Sequence, residues 1–121
     1  MKPTIALLAV DDAHSDAILA ALSQWRILRC RNEQEALAAC AHQSATLALI
    51  VDAPPALDGL RAYAELAGAQ PGLAGVLLSA APNAELLQGA LEAGFSGLAP
   101  LPLNPAYLTR VVQQEIGRAH V

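Results

Sequence analysis

The chain has 121 residues, room for one hydrophobic core but not two, and a formal net charge of −4 with a single lysine, Lys2. No Lys/Arg cluster supplies the basic footprint that nucleic-acid binding needs, and no apolar run approaches the roughly 20 residues of a membrane span. Hydrophobic residues make up 55% and aromatics only 3%, which predicts an aliphatic core of Leu, Ala, Val and Ile.

The N-terminus runs straight into a strand-like segment without the layout of a signal peptide, so a cytoplasmic location is expected. Ile5–Val10 is a continuous aliphatic run ending in Asp11 and Asp12, the profile of a central parallel strand buried on both faces. A short helix is expected over Asp16–Ser23, with Ile18, Leu19 and Leu22 on one face, then a strand over Trp25–Cys30. Asn32 opens a second helix with Glu35 placed as in a capping box, and Ala36, Leu37 and Cys40 form its buried stripe.

Leu47–Val51 is the third strand and ends in Asp52. A loop with Pro54 and Pro55 leads to Asp58-Gly59 and a helix through about Ala67, followed by a loop from Gly68 to Gly72. The fourth strand, Gly75–Leu78, ends in Ser79. Asn83 caps a helix in which Leu86, Leu87, Ala90 and Leu91 recur at helical spacing, and Gly94 stops it. A fifth strand, Gly97–Ala99, meets Pro100-Leu101-Pro102-Leu103. The last helix has Asn104 at its cap, Pro105 in its first turn, an inner face of Leu108, Val111, Val112 and Ile116, and Gly117 at its end.

Strict alternation of strand and helix implies a parallel sheet with helices on both faces, one domain over residues 1–121. In such sheets ligands bind beyond the carboxyl ends of the strands, where Asp11, Asp12, Asp52 and Ser79 all fall. Each aspartate alone is an ordinary turn or cap residue. Together they are expected to converge on a hard divalent cation such as Mg²⁺, which takes oxygen ligands, while a carboxylate there can serve as a nucleophile. Cys30 and Cys40 lack a CxxC spacing and are expected as buried thiols; His14, His42 and His120 show no metal-ligand spacing.

Several of these segments resemble the response-regulator receiver domains. Val10-Asp11-Asp12 is similar to their acidic pair, and Leu49-Ile50-Val51-Asp52 with Pro55 and Asp58-Gly59 is similar to their phosphoacceptor strand and loop. Ser79-Ala80, Ala90-Leu91-Glu92-Ala93-Gly94 with Gly97, and Pro102 match the family's later landmarks, so the resemblance covers the whole chain. It implies a five-stranded, doubly wound, flavodoxin-like α/β sheet of order 2-1-3-4-5. It also implies a signalling module rather than an enzyme, with Asp52 the phosphoacceptor for a sensor histidine kinase. Asp11, Asp12, Asp52 and the Pro54 backbone carbonyl would hold Mg²⁺, and Ser79 would bind the phosphoryl group. The Leu101–Pro102 peptide would be cis.

Leu101 stands where the family has lysine, and Leu98 where it has an aromatic switch residue. The Asp52–Gly59 loop and the first helix region are shorter than the family's. A unit charge 4 Å from a phosphoryl oxygen is worth about 4 kcal/mol at an effective dielectric near 20, so losing that lysine weakens phosphoryl binding. The apolar segment Leu98–Leu103 either packs under the last helix or offers Leu98, Leu101 and Leu103 as a contact surface. The alternative function is therefore a phosphorylation-independent pseudo-receiver that dimerises or docks proteins through the fourth-helix, fifth-strand and fifth-helix face. A flavodoxin-like cofactor carrier is disfavoured, because Asp11-Asp12-Ala13-His14-Ser15 replaces the glycine-rich phosphate loop.

Overall fold

In the computed structural model, which describes residues 3–119, each aliphatic run becomes a strand and each run at helical spacing a helix. The described residues form β1 (Thr4–Leu8), α1 (Asp12–Ala21), β2 (Arg26–Cys30), α2 (Glu33–Gln43), β3 (Leu47–Val51), α3 (Gly59–Ala69), β4 (Ala74–Ser79), α4 (Ala84–Ala93), β5 (Gly97–Pro100) and α5 (Pro105–Ala119). The strands pair in parallel in the order β2-β1-β3-β4-β5, the doubly wound arrangement expected from the sequence. β1 and β3 lie inside the sheet and are buried along their whole length, which is why they read as unbroken aliphatic runs.

The two-residue period of a strand sends alternate side chains to opposite faces. Ile5, Leu7, Leu47, Leu49, Val76 and Leu78 meet α1 and α5 through Ile18, Leu22, Leu108 and Val112. Ala6, Leu8, Ala48, Ile50 and Leu77 meet α2, α3 and α4 through Ala36, Cys40, Ala62, Leu66 and Ala90. Each fully buried Leu or Ile stabilises the fold by roughly 1.5–3 kcal/mol relative to exposure. On the second face Tyr63 donates its hydroxyl to the Leu73 carbonyl at 2.6 Å and packs its ring 4.3 Å from that of Phe95.

Polar side chains start the helices. Asn32, Asp58, Asn83 and Asn104 accept from the backbone N–H groups of Glu35, Arg61, Leu86 and Tyr107. Glu35 also accepts from the N–H of Arg31 at 2.7 Å, closing the turn before α2 one residue earlier than a capping box would. Gly94 ends α4 in the left-handed region at φ 97°, as expected.

Some boundaries differ from the sequence expectation. α1 begins at Asp12 rather than Asp16, because Asp11 caps it directly, and β1 stops at Leu8, leaving Val10 exposed. α3 continues through Gly68 and α5 through Gly117, both expected as ends. A Cβ added at either glycine would meet nothing within 4 Å, so these are open positions where glycine costs a helix only about 1 kcal/mol.

Cys30 and Cys40 are buried free thiols, as expected. Burial first, then the neighbouring Cys40 and Glu35, pushes the Cys30 thiol up to about 11, which makes it a poor nucleophile. His42 is exposed, His14 lies beside Asp11, and His120 falls outside the described residues. No helix among the described residues is long and apolar enough to cross a membrane.

Candidate functional site

The carboxyl ends of β2, β1, β3 and β4 stand side by side, and each carries polar chemistry. Asp52 follows β3 and is half-buried. Its N–H donates to the Leu78 carbonyl on β4 at 2.9 Å, and its Oδ1 accepts from the Gly59 N–H at 2.8 Å. Space is tight at that contact: a Cβ at Gly59 would lie 2.6 Å from Leu77 Cδ1 and 3.2 Å from Asp52 Oδ1, so a larger residue would push on both side chains. The intervening loop closes on itself through paired Ala53 and Leu57 backbone bonds of 3.0 and 2.9 Å, with Pro54, Pro55 and Ala56 exposed at its tip. The Pro54–Pro55 and Leu101–Pro102 peptides are both cis; the second was expected.

Ser79, at the end of β4, is buried, and its Oγ accepts from the Ala81 N–H at 3.1 Å. Its carbonyl accepts from the Leu101 N–H at 2.8 Å, which ties the β4 end to the segment after β5. Leu101 is itself buried against the α1/α5 face of the sheet, so the position that the sequence resemblance gives to lysine is an apolar wall. Leu98 and Leu103 are partly buried and pack on opposite faces. Most of the segment packs against the core, with Leu101 buried and Leu98 and Leu103 keeping part of their surface in solvent.

Asp11 and Asp12 do not point their carboxylates at Asp52 as partners. Asp11 Oδ1 accepts from the N–H groups of Ala13 at 2.6 Å and His14 at 3.4 Å, and Oδ2 lies 3.6 Å from His14 Nδ1. Asp12 pairs with Arg29 on β2 and, at 3.4 Å, with Arg31 just beyond it. Among the described residues no group of three or more His, Cys, Asp or Glu side chains is placed to hold a metal ion. Asp11, Asp12 and Asp52 therefore do not stand as a ready-made ligand cluster among the described residues. With α1 starting at Asp12, Asp11 becomes the helix cap, and the pairing of β2 beside β1 puts Asp12 within reach of two guanidinium groups. As arranged, these residues do not fit a divalent cation.

Sequence reasoning missed Arg29 and Arg31. The alternation Arg26-Ile-Leu-Arg29-Cys-Arg31 on an edge strand carried the signal, since residues two apart share a face. Leu86, Leu87, Ala90 and Leu91 recur at helical spacing in α4, but that spacing did not say which of them the sheet covers. Only Ala90 is buried there, and Leu87 and Leu91 are exposed.

No model of a known family matches the sequence, and no curated protein matches it. Solved structures do match. A CheY-like response regulator receiver domain from Methanospirillum hungatei superposes with a TM-score of 0.89 at 19% identity, covering 99% of this chain and 98% of that one. The signal receiver domain of an HD domain-containing protein from Pseudomonas fluorescens gives 0.90 at 20% identity, with 99% and 98% covered. A response regulator from Thermotoga maritima gives 0.88 at 20% identity, with 97% and 99% covered. The chain therefore has the receiver-domain fold along nearly its whole length.

Proposed function

We propose that this chain is a receiver-fold signalling module that acts by docking protein partners rather than by metal-dependent phosphoryl transfer. The observation that carries the proposal is Leu101, buried at the strand-five end where the sequence resemblance has a phosphoryl-contacting lysine. A phosphoryl group on Asp52 would meet hydrocarbon there instead of a cation. The docking face lies on α4 and α5, either side of the edge strand β5. Among the described residues four large hydrophobics are exposed, and Leu87, Leu91 and Tyr107 of these sit on that pair of helices. Exposed apolar groups collected on one face mark association sites, and a second copy of the chain is the partner proposed first.

The test is incubation with Mg²⁺ and a small phosphodonor followed by intact mass measurement. No phosphoryl adduct is expected. An adduct that disappears in Asp52→Asn would overturn the proposal in favour of the second reading.

In that second reading the chain is a phosphorelay receiver that accepts a phosphoryl group on Asp52 from a sensor histidine kinase. Asp11, Asp12, Asp52 and the Pro54 carbonyl would close around Mg²⁺, and Ser79 would hold the phosphoryl oxygens. Its support is the Asp52 carboxylate itself, half-buried and oriented by the Gly59 N–H, with buried Ser79 on the adjoining strand end.

A further inference from the structure

Asp12 is the first residue of α1, and the same carboxylate oxygen, Oδ1, meets both Arg29 and Arg31. The two arginines share one face at the end of β2, and β2 runs parallel to β1, so both side chains reach the turn where β1 gives way to α1. Arg29 is only 24% exposed, and its Nε is buried without a hydrogen-bond partner. A guanidinium enclosed to that degree requires a nearby anion, and Asp12 is the carboxylate that the structure puts against it. Two unit charges converging on one oxygen equal the charge of a divalent cation.

We infer that Arg29 and Arg31 are built-in counter-ions that stand in for a divalent cation at the strand-end acidic site and keep Asp12 from joining Asp52 as a ligand pair. Asp12 is then neutralised by the chain itself, and the site does not respond to Mg²⁺. The arginines also pin the first turn of α1 to the edge strand, at the end of the helix where the macrodipole favours an acid. This inference rests on the docking-module proposal and deepens it by stating what has become of the receiver metal site.

Mn²⁺ is the probe, because it substitutes for Mg²⁺ at oxygen sites and broadens nearby amide resonances. In the full wild-type chain, millimolar Mn²⁺ should leave the amides of Asp11, Asp12, Asp52 and Ala53 unbroadened. In Arg29→Gln/Arg31→Gln the same amides should broaden, with at least about a tenfold gain in Mn²⁺ affinity. Arg31 is mostly exposed, so Arg31→Gln alone keeps the fold if the double variant does not, and it should show a smaller gain of the same kind. Wild-type broadening that Asp12→Asn abolishes would overturn the inference, and so would folded variants that bind no better than wild type. Wild-type Mn²⁺ binding without a phosphoryl adduct sinks the counter-ion assignment alone. An Asp52 adduct without Mn²⁺ broadening sinks the docking proposal and leaves the arginines in place.

Discussion

At Gly75 the backbone of β4 lies so close to the Tyr63 ring that an added Cβ would stand 2.5 Å from Cε1. The ring cannot retreat freely, since its hydroxyl holds the Leu73 carbonyl and its face meets Phe95. Gly75→Ala is therefore expected to destabilise by about 1–3 kcal/mol through overpacking, read as a lower denaturant midpoint with an unchanged slope. Gly59 shows a similar close approach with a different consequence. There the missing Cβ leaves room for the N–H that orients Asp52, so the residue belongs to the site as much as to the core. Glycine's role at both positions is legible only once the neighbouring element is in place.

The α1 helix shows how one boundary redirects a site. Its start at Asp12 makes Asp11 the cap, satisfying two otherwise unpaired N–H groups of the first turn. Asp11→Ala should cost about 1 kcal/mol of stability in chemical unfolding, as expected for an N-cap. A ligand-type aspartate would instead be expected to gain stability on removal, by relief of repulsion from neighbouring acids. The last segment, Leu98–Leu103, behaves as an element too. Its leucines divide between the two faces of the sheet, so it closes the core at β5.

Among the described residues, one of the four exposed large hydrophobics, Val10, follows β1, while the other three, Leu87, Leu91 and Tyr107, lie on α4 and α5. If that face pairs two copies, the chain should show a concentration-dependent dimer by light scattering. Leu91→Glu should then weaken it at least about tenfold, roughly 1.4 kcal/mol, as for a central interface residue. Leu91 is 62% exposed, so the same change should shift unfolding by no more than about 0.5 kcal/mol. A monomer at all concentrations would direct the search to a different protein partner on the same face.

Hydrophobic periodicity and strand-end polarity were sufficient to read the α/β alternation, the parallel sheet, most caps and the positions of Asp11, Asp12, Asp52 and Ser79 at strand ends. These follow from local spacing and from the need of central strands to be apolar on both faces. Which way each carboxylate turns was not local. Asp12 and Arg29 are 17 residues apart in sequence and meet because β2 lies beside β1. The exposure of Leu87 and Leu91 likewise depended on how much of α4 the sheet could cover, since a helix rich in apolar residues offers more than one face to bury. The sequence determined where the acids stand; the tertiary structure decided what they face, because a charge takes its partner from through-space neighbours rather than from chain neighbours.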